Sequence, residues 1–166
     1  VELAAEKAGW DKPLTRGQGR GIATFFSHGS YVSEVAEISV DKNTGVIQVH
    51  RVVCVVDCGP VINPNTLEAQ MSGALTMGLS AAFMEKVEFA NGGVKSANYS
   101  DYPLLRMSQA PDVEVHMVDS DHEIGGGGEP SLPPIAPAVA NALFAITGVR
   151  IRRLPLTPES VKAALA

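Results

Sequence analysis

A run of four glycines followed by a carboxylate is the segment of this sequence best suited to chemistry. We call Gly125–Gly128 the glycine loop, and Glu129 follows it directly. Four glycines are costly to order, but they let backbone N–H groups approach a ligand closely. The apolar residues Leu132 and Ile135 come next, and a carboxylate beside apolar groups loses solvation, which favours its use as a general base. The residues alone therefore leave two hypotheses: a flexible loop, or a loop that presents Glu129 as a base.

Other features of the sequence argue against a phosphate-binding P-loop, a dinucleotide-binding loop and a protein-ligated metal site. No Lys-Ser/Thr pair follows the glycine loop, as a phosphate-binding P-loop requires, and Pro130 stands where a dinucleotide fingerprint has its third glycine. The glycines of residues 17–21 precede a strand and predict a turn or strand entrance. No histidine forms a ligand-spaced pair with another histidine or a cysteine, so we predict no protein-ligated metal. Asp57 is interpreted as a turn former or a pocket residue, and Gln70, from the residues alone, as a solvent-facing side chain.

Composition limits the remaining classes of protein. The 166 residues correspond to one domain, and the net charge of −5 gives no electrostatic basis for binding nucleic acid. Only 19% of the residues are charged, which suggests a surface partly covered by a partner or by more of the same chain. Cys54 and Cys58 are expected to be free and buried. There is no apolar run long enough to span a membrane and no signal peptide within these residues. A cytoplasmic location is expected, with the periplasm as the alternative.

The pattern of apolar residues predicts an α+β fold with a mixed or antiparallel sheet and packed helices. Alternation predicts strands over 21–29, 31–41 and 46–57, joined as hairpins, and a further strand over 112–119. A helix is expected over about 63–84, capped by Asn63 or Asn65, followed by a hairpin at 91–93. Further helices are predicted over 135–148 and from Thr157 to the end. We expect the long helix around Gln70 to pack on the first three strands, with Gly73 and Gly78 at close contacts.

Three stretches of sequence, read together, resemble one enzyme family. They span residues 50–83, 96–118 and 125–156, and the last is the most specific, with GGGGEPSLPP followed by APAVANA. Essentially the whole chain resembles the C-terminal part of the molybdopterin-binding large subunit of the xanthine oxidase family of molybdenum hydroxylases. The nearest branch is that of isoquinoline 1-oxidoreductase and aldehyde dehydrogenase-like beta subunits.

The resemblance implies a mechanism and a set of site residues. Molybdenum would be held by a pterin cofactor, expected in its cytosine dinucleotide form, and by no side chain. Glu129 would be the general base that takes the proton from a hydroxyl on molybdenum as its oxygen attacks an aldehyde or N-heterocycle, water being the oxygen source. Gln70 would hydrogen-bond the pterin, and Gly126, Gly127 and Gly128 would pack against the cofactor. Electrons would leave through iron–sulfur clusters on a partner subunit.

The chain departs from the family pattern in two places and in its length. Gly127 stands where relatives often have valine, and EAQMSGAL lacks the glycine pair that usually follows Gln-Met. Because the family's large subunit is much longer, residues 1–166 are interpreted as a single C-terminal segment of it, with the remainder of that subunit as a partner. We expect the isolated segment to be inactive and to bind no molybdenum. The alternatives are a nucleotide- or phosphate-binding module using the glycine loop, and a non-catalytic interaction domain.

Overall fold

The computed structural model describes residues 1–166 and has the α+β architecture that the sequence predicts. Its main sheet has four strands that lie in chain order, the first three antiparallel and the fourth parallel to the third. The bounds are β1 Gln18–Ser27, β2 Ser30–Val40, β3 Ile47–Asp57 and β4 Asp112–Met117. The helices are α1 Glu2–Ala8, α2 Pro64–Phe83, α3 Leu132–Thr147 and α4 Pro158–Leu165. None of the helices is both long and apolar enough to cross a bilayer.

Local chemistry explains where the elements begin and turn. The β1–β2 turn consists of His28 and Gly29, whose positive φ angles of 53° and 78° suit a tight hairpin. Helix α2 begins where the Asn63 side chain accepts a hydrogen bond from Thr66 N at 3.1 Å. Helix α3 ends at Gly148 with φ 73°, and Thr157 caps α4. The hairpin expected near 91–93 is present as the two-residue strands Phe89–Ala90 and Gly93–Val94.

The main core lies between the sheet and α3, which covers β1 and β2. Our expectation that α2 covers these strands holds only in part: the buried apolar residues of α2 share this core, but the backbone of α2 lies closest to α3 and β4. Helix α3 occupies this face because it lies directly against the backbone of β1: a Cβ at Gly21 would overlap the carbonyl of Ala138 and the amide of Ala142. Two bare glycine positions, Gly19 and Gly21, let α3 lie directly on the strand. A smaller core on the other face lies under α1.

The α2–α3 contact depends on Gly78, as expected, whereas Gly73 has no neighbour near it. A Cβ at Gly78 would lie 2.6 Å from both Ile135 Cγ2 and Leu132 O. At Gly73 nothing lies within 4 Å of such a Cβ, so the expectation of a close contact there is wrong. Both cysteines are free and buried, as predicted.

One ionisable residue lies inside the main core. Glu34 is fully buried on β2, opposite Cys54 of β3, and neither of its carboxylate oxygens has a hydrogen-bond partner at normal geometry. Burial raises the pKa of Glu34 well above its usual value, and the weak donor Cys54 only slightly offsets this. Burial and the neighbouring Glu34 likewise raise the pKa of the Cys54 thiol. Burial therefore favours the neutral, protonated form of the Glu34 carboxyl group in the folded chain.

We predict opposite effects of alanine at the two glycines of α2. Gly78→Ala should lower the free energy of unfolding by about 1–3 kcal/mol, because the new methyl group overpacks the contact with α3. Gly73→Ala should raise it by about 0.5–1 kcal/mol, since alanine favours a helix and meets nothing. Urea unfolding of both variants is the measurement. Equal effects at the two positions would contradict this packing of α2 on α3.

Glu34 should make the stability of the fold depend on pH. Above about pH 4.5 the unfolded chain releases the Glu34 proton and the folded chain keeps it, so this contribution to stability falls as pH rises towards the folded-state pKa. The loss should be roughly 1 kcal/mol for each pH unit in that window. Glu34→Gln should remove this dependence and become the more stable form as pH rises. Unfolding curves at pH 4.5, 6 and 8 test this; parallel pH profiles for the two proteins would contradict a neutral buried acid.

Candidate active site

The glycine loop lies in a crevice between the β1–β2 turn and the start of α2. A Cβ at Gly126 would lie 2.8 Å from the Cβ of His28, and one at Gly127 would lie 2.8 Å from Cδ1 of Leu67. At Gly128 it would come within 3.6 Å of the Gln70 side-chain nitrogen. Side chains at Gly125 and Gly126 would overlap the β1–β2 turn, so glycine is required sterically at these two positions, whereas at Gly127 only the end of the Leu67 side chain would have to move.

Hydrogen bonds fix the first half of this loop and leave the second half free. Gly125 N donates to Cys58 O at 2.9 Å, and Gly126 N donates to His28 O at 2.6 Å. The amides of Gly127, Gly128 and Glu129 have no acceptor within the chain. Three consecutive backbone donors are thus available to a ligand beside the Gln70 amide, which also makes no hydrogen bond. Such donors suit the polar edge of a cofactor or an anionic group.

A pocket of about 300 Å³ opens between the glycine loop and the loop that precedes α2. It is mostly apolar, with Gln70 and glycine backbone among its few polar groups. The exposed side chains of Ile62 and Ile124 stand at this pocket. The structure therefore brings Gln70 and the glycine loop together around one concave surface, whose lining residues are Cys58, Pro60, Val61, Ile62, Asn63, Thr66, Leu67, Gln70, Ile124, Gly125 and Gly127.

Glu129 follows the loop immediately before α3, and its side chain is exposed. Its carbonyl accepts a hydrogen bond from Leu132 N at 2.9 Å, which makes a turn into the helix. The desolvation that we expected from Leu132 and Ile135 is absent in this chain, because Ile135 is buried against α2 at Gly78 instead of against the carboxylate. The chain thus fixes the backbone of Glu129 and leaves its carboxylate free to meet a ligand.

The sequence also led us to expect that Asp57 forms a turn and that no side chains ligate a metal. Asp57 accepts hydrogen bonds from Ser120 Oγ at 2.5 Å and from Gly59 N at 3.3 Å, so it organises the turn after β3 as expected of a turn former. The chain contains no group of three or more His, Cys, Asp or Glu side chains arranged to hold a metal ion.

Two serines that were not predicted from the sequence hold this site. Ser30 Oγ donates to Gly126 O at 2.7 Å, and Ser131 Oγ donates to Met71 O at 2.6 Å; both side chains are fully buried. Neither has a distinctive motif, although Ser131 stands at the helix start, where a serine is usually interpreted as a cap. Its side chain makes no cap hydrogen bond and instead ties α3 to α2.

The sequence profile described as "Molybdopterin cofactor-binding domain" matches residues 1–111. The chain belongs to this family. It is 38% identical, over 95% of its length, to the beta subunit of isoquinoline 1-oxidoreductase from Brevundimonas diminuta. It is 35% identical, over 99% of its length, to one of the nicotinate dehydrogenase subunits of Pseudomonas putida. It covers only 21% and 15% of those two relatives. The molybdopterin-binding family named by the resemblance is thereby confirmed.

Solved structures agree with this membership. The aldehyde oxidoreductase of Desulfovibrio gigas superposes with a TM-score of 0.73 at 29% identity, over 82% of this chain and 15% of that one. Quinoline 2-oxidoreductase of Pseudomonas putida 86 gives a TM-score of 0.74 at 24% identity, over 82% and 18%, and shows the shared fold. The chain spans about a fifth of the length of these proteins.

The residues of the crevice fit a molybdopterin cofactor. A pterin is a planar, polar ring system that needs hydrogen-bond partners around its edge, and the crevice offers the Gln70 amide and the unpaired amides of the glycine loop. Close approach to that backbone is possible because residues 125–128 carry no side chains.

Proposed function

We propose that this molybdopterin-binding chain is a C-terminal segment of the large subunit of a molybdenum hydroxylase that oxidises an aldehyde or an N-heterocycle. The relatives named for isoquinoline, nicotinate and aldehyde oxidation support this substrate class. The observation that carries the proposal is the single carboxylate, Glu129, held one residue beyond the free amides of the glycine loop. Neither the phosphate-binding module nor the interaction domain accounts for a carboxylate at that place, because it repels phosphate and is superfluous in an interaction domain.

In this proposal, each part of the crevice has one task. When bound, the cofactor supplies the oxygen nucleophile, which derives from water, and accepts two electrons from the substrate carbon. Gln70 and the amides of Gly127 and Gly128 bind and orient the pterin. Glu129 accepts at its carboxylate the proton that the nucleophile loses, and so acts as general base.

The remainder of the large subunit is proposed from the length of the relatives, and the iron–sulfur subunit and the form of the pterin are proposed from the family resemblance. The remainder of the large subunit would supply the other cofactor contacts and much of the substrate pocket. A separate subunit with iron–sulfur clusters would carry the electrons away, and the pterin would be the cytosine dinucleotide form. These three components define the complete enzyme in which substitutions at the crevice are to be measured.

Glu129→Gln in the complete enzyme should lower turnover by about 10²–10⁴-fold, because the amide keeps the shape and cannot accept the proton. Molybdenum and pterin contents should stay near those of the parent enzyme. Glu123→Gln, the same change at an exposed carboxylate six residues earlier, is the matched control and should be nearly neutral. Steady-state kinetics with metal analysis is the measurement, and near-normal turnover of Glu129→Gln at full molybdenum content would refute the proposed base.

Gln70→Ala should reduce the amount of cofactor retained by the complete enzyme, because it removes an amide that faces the crevice and has no partner within the chain. Glu68→Ala, at an exposed position on the same helix, should retain the parent amount. Molybdenum and pterin are measured after dialysis of both variants. Equal retention in the two variants would show that Gln70 does not bind the pterin.

A further inference from the structure

Ser30 is a buried residue on the side of the glycine loop opposite α2. It is the first residue of β2, its side chain is 0% exposed, and its Oγ donates to Gly126 O at 2.7 Å. A Cβ at Gly125 would overlap the same hydroxyl. Ser30 therefore touches two consecutive glycines of the loop although 96 residues separate it from Gly126 in sequence.

The β1–β2 turn holds Gly126 by both of its backbone polar groups. Its carbonyl accepts from Ser30, and its N–H donates to His28 O at 2.6 Å. Between these two contacts lies Gly29, with φ of 78°, and a Cβ added there would lie 3.3 Å from Gly125 Cα. The turn is thus shaped around the loop, and Ser30 supplies the only side-chain hydrogen bond that the loop receives.

The backbone beyond this contact leads directly to Glu129. Only Gly127 and Gly128 separate Gly126 from Glu129, and neither of their amides has a partner in the chain. On the far side, Ser131 is tied to Met71 O of α2. Glu129 therefore lies in a short span, 127–130, fixed at each end by a fully buried serine hydroxyl.

We propose that Ser30 is a positioning residue for Glu129, which fixes where the carboxylate stands relative to the reacting oxygen; this rests on the proposed function of Glu129. Glycine-rich backbone has many accessible conformations, so the loop depends on its contacts to keep one shape. Without the Ser30 hydroxyl, the partly buried Gly126 carbonyl loses its only donor within the chain and the loop can shift. A displacement of about 1 Å at a reacting group can cost up to 100-fold in rate.

A second buried serine on β2 provides a matched control. Ser33 is 5% exposed, and its hydroxyl is hydrogen-bonded to Thr24 of β1 at 2.8 Å. Alternation along the strand places it on the face opposite Ser30, away from the loop. Ser33→Ala therefore removes a buried serine hydroxyl from the same strand without touching the site.

The test compares these changes in the complete enzyme. Ser30→Ala should lower kcat by roughly 10- to 100-fold, with molybdenum and pterin contents unchanged. Ser30→Cys, which keeps the size and only a weak donor, should give an intermediate kcat, and Ser33→Ala should stay within about twofold of the parent. In a Glu129→Gln background, adding Ser30→Ala should cause no further loss of single-turnover rate, because a residue that acts through Glu129 has nothing left to position.

The outcomes separate this inference from the proposed function. If Glu129→Gln is nearly as active as the parent, the proposed base is wrong and Ser30 loses its proposed role with it. If Glu129→Gln is inactive while Ser30→Ala is as active as Ser33→Ala, only the role of Ser30 is wrong. An additive loss in the double variant, or a loss of cofactor from Ser30→Ala, would also overturn it. If Ser30→Ala does not fold, Ser30→Cys decides by the same criteria.

Discussion

The direct contact of α3 with the backbone of β1 is the constraint on which the rest of this structure depends. Gly19 and Gly21 leave no side chain between strand and helix, and Asn141 of α3 donates its side-chain amide to Ile22 O at 2.9 Å. Helix and strand are therefore locked both by shape and by a hydrogen bond to the main chain. Since Glu129 precedes α3 by only a few residues, the depth at which the helix lies on the sheet also sets the position of the carboxylate.

The site that results combines a rigid frame with unsatisfied polar groups. One edge of the crevice is a hairpin turn and the other is the start of a helix, and both are elements whose conformation is fixed by their own hydrogen bonds. Within that frame the amides at 127–129 and the side chain of Gln70 remain unpaired. Gly128, Glu129 and Gln70 are exposed, so a ligand can hydrogen-bond these groups without breaking a contact within the chain. Free donors on a fixed frame are the preorganisation that cofactor binding and proton transfer both need.

Much of this arrangement could be predicted from local sequence signals, and the rest depended on which surfaces meet. A few neighbouring residues are enough to predict the hairpin turns. The same is true of the helix caps Asn63 and Thr157 and of the end of α3 at Gly148. Which of the two helices, α2 or α3, covers the sheet could not be predicted from neighbouring residues, because both helices are apolar. The glycines of β1 that decide it, Gly19 and Gly21, are equally typical of the entrance to a strand. The exposure of Glu129 was missed for a similar reason. Apolar residues that follow it in sequence face α2, so proximity along the chain did not mean contact in space.

The Ser30–Gly126 hydrogen bond joins the first quarter of the chain to the last, and this has a consequence for how the protein reaches its working form. Contacts between distant parts of a chain carry a loop-closure cost that local hairpins and helices do not. The β1–β2 hairpin and α2 can form from neighbouring residues alone, whereas the glycine loop takes its shape only when both are in place and α3 has docked on them. We therefore expect the crevice to be completed only after these elements have docked. A nascent or truncated chain that already has most of its secondary structure still presents no completed site to a cofactor.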